Sequence, residues 1–194
     1  MKSRNHSYIL KIAIVGIFAA ISFALSVFPK FNVFPAAPWL DVDFSDAPAL
    51  FVSLAIDPVS GFLVVLIKSL IHLTVSHTGH VGLIANILNG GSLVLVAGAV
   101  KWLFDRMGEK KPFAVVSTVC AIPVQVLCAI VANLYVLLPA YGIDLVKMFG
   151  STGAYVAIVV GHNLIKDALA CTLALTLYFV LLKYVRRWFP AARK

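Results

Sequence analysis

The chain has 194 residues, of which 61% are hydrophobic and only 12% are charged, and its mean hydropathy is +0.98. Soluble domains carry about 25% charged residues, so this composition excludes a soluble globular protein and predicts a single membrane domain over residues 1–194. The net charge of +8 does not indicate nucleic-acid binding, because basic residues beside apolar segments are typical of contact with anionic membrane lipid.

Six apolar segments follow one another along the chain, and a helix needs about 20 such residues to cross a bilayer. They are Ile9–Phe28, Asp46–Ile56, Val59–Val75, Leu83–Phe104, Phe113–Leu138 and Gly153–Leu182. We therefore predict an all-α integral membrane protein with six transmembrane helices. Two alternatives are five crossings with the short second segment re-entrant, and cleavage of the first segment as a signal peptide.

Most of the 16 lysine and arginine residues lie beside the segment ends on one side of the membrane. They are Lys2, Arg4, Lys11, Lys101, Arg106, Lys110, Lys111, Lys183, Arg186, Arg187, Arg193 and Lys194. The positive-inside rule places that side, and hence both termini, in the cytoplasm. An even number of crossings satisfies this orientation.

Two of the loops on the outer side of the membrane contain residues that could be functional. The loop Pro29–Ser45 is long and rich in proline and aromatic residues, which predicts a lid over an outward-facing cavity, with an interfacial aromatic belt as the alternative. His77 and His80 lie in the next outer loop without a carboxylate or cysteine, so a solvated loop is favoured over a metal site. Because Cys120, Cys128 and Cys171 fall inside apolar segments, neither a disulfide nor a metal cluster is indicated.

Polar residues inside the apolar segments concentrate in the outer half of the predicted bundle. They are Lys68, His72, Asn86, Asn89, Asn133, Asn163 and Lys166. Intramembrane charges persist where they face protein or a wet cavity. This distribution predicts a pocket that opens outward and is closed below, since the polar lining of a channel would continue through the membrane.

Each polar residue has a structural alternative to ligand binding. For Lys68 and His72, an interhelical network with Asp43 or Asp46 is favoured over a ligand contact. Asn86 and Asn89 fit interhelical hydrogen bonds equally well.

For Asn163 and Lys166, three residues apart on one helix face, ligand contact is favoured. Asp167 is expected to turn to an adjacent helix as the partner of another polar group.

Small residues at Gly16, Ala20 and Ala24 form a ridge along the first segment. Such ridges let another helix approach closely, either within the bundle or from a partner subunit.

Nucleotide-binding and hydrolytic motifs are missing from the sequence. There is no G-x-x-x-x-G-K-[ST], so this chain does not itself hold ATP phosphates, and no G-x-S-x-G or H-E-x-x-H appears. An enzyme using Asp46, Asp57 or Asp167 with His72 or His162 is disfavoured, because depth mapping does not bring these residues together. We expect no enzymatic activity and no cofactor.

Four motifs follow one another along the chain in the order of a known family pattern. Leu40–Leu50 followed by Asp57–Gly61 stand where that pattern has L-K-x-D-F-S-D-x-P-A-L and G-P-x-x-G. Residues 133–139 resemble N-Y-x-x-L-P, and residues 162–166 resemble F-N-x-I-K. With the segments Lys68–His72 and Ala85-Asn86, nearly the whole chain resembles the riboflavin-specific substrate-binding subunits of energy-coupling-factor (ECF) vitamin transporters.

The resemblance implies a six-helix protein of a prokaryotic cell membrane that captures a vitamin from outside. It also implies a transmembrane coupling subunit and two cytoplasmic ATPase subunits that hydrolyse ATP. Family analogy puts the flavin ring against Asn133, Asn163 and Lys166, beneath the first outer loop. Asp46 suits the ribityl hydroxyls, and Phe44, Asn86 and Lys68 complete the expected ligand-binding set. Gly16, Ala20 and Ala24 would contact the coupling subunit.

The chain departs from the family pattern at four positions. They are Asp41 for lysine, Ser69 for asparagine, Leu83 for glutamate and Asp167 for glycine. Few unopposed cations in the outer loops favour riboflavin over its phosphorylated form, FMN. Another vitamin or small heterocycle in the same transporter class, and a stand-alone membrane facilitator, are the alternatives.

Overall fold

A computed structural model describes residues 2–76, 79–107 and 113–188 of the chain. The helices are α1 (Lys2–Val27), α2 (Asp46–Ala55), α3 (Pro58–His72), α4 (Gly79–Arg106), α5 (Ala114–Ala132), α6 (Leu138–Tyr141), α7 (Leu145–Phe149) and α8 (Thr152–Trp188). Four helical stretches are long and apolar enough to cross a membrane, namely Tyr8–Val27, Gly79–Arg106, Ala114–Tyr141 and Thr152–Leu181. The helical architecture predicted from hydropathy is confirmed.

The helix ends differ from the predicted apolar segments. The first helix begins at Lys2 instead of Ile9, and the fourth begins at Gly79 instead of Leu83. The last helix continues to Trp188, and α3 already ends at His72. Hydropathy marks the apolar stretch, whereas backbone hydrogen bonding can continue into polar flanks or stop within the stretch. His77, residues 108–112 and residues beyond 188, with the basic residues predicted there, lie outside the described residues.

The loop between α1 and α2 contains a short antiparallel ladder. Strand β1 (Phe31–Asn32) pairs with β2 (Asp41–Val42), with Phe31 opposite Val42. Ala37 and Leu40 are buried in a small apolar cluster with residues of α5, α6 and α8. We refer to residues 28–45 as the covering loop, because this cluster holds it across one end of the bundle.

Helix α2 lies at the centre of the molecule. All ten of its residues are buried, and its apolar side chains form one core with residues of α1, α3, α4, α5 and α8. A helix that is apolar on all sides is stable only when it is enclosed by others. This short helix therefore forms the interior of the bundle and carries Asp46 at its first turn.

A π-helical turn, Asn133–Leu137, joins α5 to α6, where the sequence predicted an uninterrupted segment. Pro139 has no backbone N–H, and its ring would clash with the carbonyl of Tyr135 in a regular α-helix. The amide of Leu138 instead donates to the carbonyl of Asn133, which widens the helix there. Such turns are frequent at functional sites, and Asn133 is the first residue of this one.

The turn between α2 and α3 lies at the opposite end of the bundle from the covering loop. Asp57 caps α3, because its Oδ1 accepts from the Ser60 amide at 2.9 Å. Its Oδ2 accepts from Lys11 Nζ at 2.7 Å, so α1 is joined to this turn.

Candidate functional site

A cavity of about 440 Å³ lies beneath the covering loop. Its walls come from the end of α1, the end of α3, the beginning of α4, the end of α5 and the middle of α8. The buried side chains of α2 below Asp46 belong to the apolar core that closes it. The cavity therefore lies at the covering-loop end of the bundle, and its lining includes all seven polar residues from which a pocket was predicted.

Two lysines and two aspartates form a buried ionic cluster in this cavity. Lys68 Nζ lies 2.5 Å from Asp46 Oδ1 and donates to Ser45 Oγ at 2.6 Å. Lys166 Nζ lies 3.3 Å from Asp43 Oδ2 and 3.4 Å from Asp46 Oδ2. The predicted network between Lys68 and Asp46 is thus confirmed, and it also includes Lys166, for which the sequence favoured ligand contact.

Charge compensation keeps the cluster ionised. Burial raises the pKa of the Asp43 carboxyl, but the ammonium groups of Lys166 and Lys68 outweigh burial and hold its pKa below 3.8. Each charge of this cluster therefore has an opposite partner, which is the condition under which buried ions persist.

The backbone of α4 makes room for this cluster at Gly90. A Cβ atom at that position would lie 2.7 Å from Asp46 Oδ1. Any side chain larger than hydrogen would displace the carboxylate from Lys68. The position of Asp46 therefore depends on a glycine that lines the same cavity.

Asn133 and Asn163, the two asparagines that were predicted to contact the ligand, both line the cavity. Each is also hydrogen-bonded to other residues of the chain. Asn133 donates to the carbonyl of Ala129 at 2.8 Å and accepts from the Tyr155 hydroxyl at 2.7 Å. Asn163 donates to the carbonyl of Val159 and accepts from Gln125 Nε2, both at 2.8 Å. Each amide is held in one orientation and keeps one N–H and one lone pair for a further bond.

The remaining predicted residues are placed differently. Asn86 and Asn89 line the cavity, and Asn89 Oδ1 has no partner within the described chain. Phe44 is not among the lining residues and packs edge-on against Phe31, with ring centroids 6.4 Å apart. His72 shares a hydrogen bond of 2.8 Å with Ser26 Oγ instead of joining the aspartates.

One expectation about an acidic residue is wrong. Asp167 is buried, but its Oδ2 has no polar partner among the described residues, where a neighbouring polar group was expected. Asp46, His72 and His162 line one cavity, but no hydrogen bond joins either histidine to a carboxylate among the described residues. Asp57 does lie at the other end of the bundle, bonded to Lys11.

Sequence reasoning missed the residues that orient the asparagines. Gln125 lies inside an apolar segment and could have been noticed as an isolated amide, but nothing in the pattern pairs it with Asn163. Tyr155 is completely buried, and its hydroxyl is the partner of Asn133. Tyrosine is common near membrane surfaces, so its position alone carried no signal.

The small ridge on α1 faces away from the bundle. Gly16, Ala20 and Ala24 are all exposed, and a Cβ added at Gly16 would meet no atom within 4 Å. The ridge therefore makes no helix contact within the described part of the bundle at Gly16.

Comparison with known proteins agrees with this architecture. The sequence profile of the family described as "ECF transporter, substrate-specific component" matches residues 10–182. Riboflavin transporter RibU of Staphylococcus aureus (strain TCH60) is 31% identical over 176 residues, covering 89% of this chain and 90% of that protein. Riboflavin transporter FmnP of Bacillus subtilis (strain 168) is 31% identical over 183 residues, covering 89% and 92%.

A solved structure described as the S component of a bacterial ECF transporter has a similar fold. It superposes with a TM-score of 0.73 at 28% identity and covers 91% of this chain and 98% of its own. With a family profile that matches most of its length and a matching fold, the chain belongs to the substrate-specific components of ECF transporters.

Proposed function

We propose that this chain captures riboflavin outside a bacterial cell, as the substrate-specific subunit of an ATP-driven ECF transporter. The observation that carries the proposal is the cavity of about 440 Å³ that lies above the apolar core of α2 and is lined by oriented amides. Ligand sites of roughly 300–1,000 Å³ hold molecules of this size. Relatives that match about nine-tenths of the chain are named riboflavin transporters.

The charge balance of the cavity supports a neutral ligand. Lys68 and Lys166 are paired with Asp46 and Asp43, and Lys30 at the mouth lies 3.1 Å from Asp41 Oδ2. A phosphate would need an unopposed cation. Riboflavin is therefore favoured over FMN, and this is the discrimination that the sequence also predicted.

The proposed flavin contacts are made by cavity groups that can form further hydrogen bonds. A flavin ring presents amide N–H and carbonyl groups, which the spare N–H and lone pair of Asn133 and Asn163 complement. Lys166 donates from the floor, while Asp46, Lys68 and Asn86 suit the ribityl hydroxyls. We assign Phe44 a role in holding the covering loop, since it packs on Phe31.

We propose six crossings with both termini in the cytoplasm. At about 1.5 Å per residue, α2 and α3 are too short to cross a hydrocarbon core of about 30 Å alone. The covering loop, α2 and α3 together occupy the space between the two ends of the bundle. The cavity then faces outward, because it lies at the end opposite the N-terminus of α1 and the C-terminus of α8.

Transport is proposed to require other subunits. The outward-facing ridge of Gly16, Ala20 and Ala24 suits close approach by a helix of a coupling subunit, and two ATPase subunits would supply the energy. The polar lining stops at the buried core around α2, which supports a binding role over that of a stand-alone facilitator. We propose no enzymatic activity for this chain.

A titration of the detergent-solubilised chain with riboflavin tests the proposal. We expect flavin fluorescence to be quenched with an endpoint near one ligand per chain, and FMN to compete only weakly. Proteoliposomes containing this chain alone should bind riboflavin without accumulating it. No quenching would overturn riboflavin as the ligand, and uptake by the isolated chain would overturn the need for partners.

A further inference from the structure

His162 is a buried polar side chain that the cavity wall leaves unbonded. It is 6% exposed and lines the cavity, one turn before Lys166 on α8. No described residue hydrogen-bonds either ring nitrogen, and Nδ1 is fully sealed from solvent. The small accessible part of this side chain is therefore cavity surface.

The charged groups around His162 are already engaged elsewhere. Those near enough to act on it are Lys166, Asp43 and Asp41. Lys166 pairs with Asp43 and Asp46, Asp43 also accepts from the Ser45 amide, and Asp41 pairs with Lys30. The imidazole is consequently left with bonding capacity that its own protein does not satisfy.

A neutral imidazole has one donor and one acceptor nitrogen, whereas a buried polar group without a partner disfavours the folded state. We propose that His162 is a further ligand-binding residue whose cavity-facing nitrogen hydrogen-bonds a polar edge of the flavin. This inference rests on the proposed function. It assigns His162 a contact that phenylalanine, found at this position in the family motif, does not make.

Three histidine variants in a binding titration test this inference. Relative to the unmodified chain, His162→Phe keeps an aromatic ring but removes both nitrogens, and we expect riboflavin to bind at least about tenfold more weakly. His162→Gln retains a donor and an acceptor and should stay within about threefold of the unmodified chain. His80→Phe, at an exposed histidine in the first turn of α4, is the matched control and should bind normally.

A second measurement is made on the unmodified protein and uses a variant only to assign the signal. In unmodified protein labelled with ¹⁵N-histidine, one ring nitrogen signal, absent from the spectrum of His162→Gln, should shift when riboflavin is added. Equal losses in His162→Phe and His162→Gln, or an unshifted signal in riboflavin-bound protein, would overturn this inference alone. Failure of the unmodified chain to bind riboflavin would instead overturn the proposed function, and this inference with it.

Discussion

The Nζ atom of Lys166 lies 3.3 Å from Asp43 Oδ2, so one ion pair joins the middle of α8 to the covering loop. Replacing Lys166 with Met removes this pair and leaves Asp43 without its closest cation. Because an unpaired buried charge costs about 3–5 kcal/mol, we expect a lower melting temperature and riboflavin binding weakened at least tenfold.

The matched control is Lys147→Met. Lys147 forms an ion pair with Asp144 at the surface, and the Lys147 side chain is 85% exposed. Exposed pairs contribute only about 0–1 kcal/mol, so this variant should melt and bind normally. A Lys166→Met protein that binds riboflavin normally would contradict the role given to the pair.

Gly161 and Phe34 form a second contact between α8 and the covering loop. A Cβ at Gly161 would lie 3.1 Å from Phe34 Cζ, so Gly161→Ala should push the ring away and loosen the loop. We expect faster riboflavin release in stopped-flow fluorescence. Gly153→Ala on the same helix is the control, since its added methyl would approach an atom no closer than 4.0 Å. Equal release rates in the two variants would argue against this contact.

Asp57 predicts a pH dependence at the opposite end of the bundle. Burial raises the pKa of this carboxyl, but hydrogen bonds from Lys11 and Ser60 outweigh burial and hold its pKa below 3.8. A group with a depressed folded pKa stabilises the protein above its unfolded pKa and loses that effect as the pH falls. Asp57→Asn should therefore lower the melting temperature at pH 7, with the difference from the unmodified chain shrinking below about pH 4. A difference that is constant from pH 7 to pH 3 would contradict this ionisation.

Asp41 determines whether the mouth of the cavity offers a free cation. In Asp41→Asn, Lys30 loses the partner that lies 3.1 Å away. We expect FMN affinity to rise several-fold while riboflavin affinity changes little, measured by competition. The double variant Lys30→Met/Asp41→Asn should lose the gain. An unchanged FMN affinity in Asp41→Asn would show that this pair does not control discrimination.

The ridge on α1 predicts a separation between binding and assembly. Ala20→Leu fills the exposed ridge without entering the cavity, so riboflavin binding should stay normal while co-purification with a coupling subunit falls. Ala20→Ser keeps a small side chain and should assemble as the unmodified chain does. Normal assembly of Ala20→Leu would exclude the ridge as the docking surface.

The sequence predicted those features that depend only on how deep a residue lies along its helix. The depth of Lys68 in its segment was enough to predict a network with Asp43 or Asp46, and the structure contains the pair with Asp46. The partners of Asn133 and Asn163 depend on the rotation of each helix about its own axis, and hydropathy does not report that angle. For the same reason, the position of His162 in the cavity wall was not predicted. Pro139 was a sequence signal for the π-helical turn. The turn was not predicted because the apolar pattern continues through it unchanged.

The complete enclosure of α2 has a consequence for how binding responds to the surroundings. The exposed apolar side chains of α1, α5 and α8 are available to lipid or detergent, while Asp46 lies on a helix whose residues are all buried within the chain. Exchanging one detergent or lipid for another should therefore leave α2 and the position of Asp46 unchanged. Affinities measured in micelles should carry over to vesicles of differing thickness and headgroup.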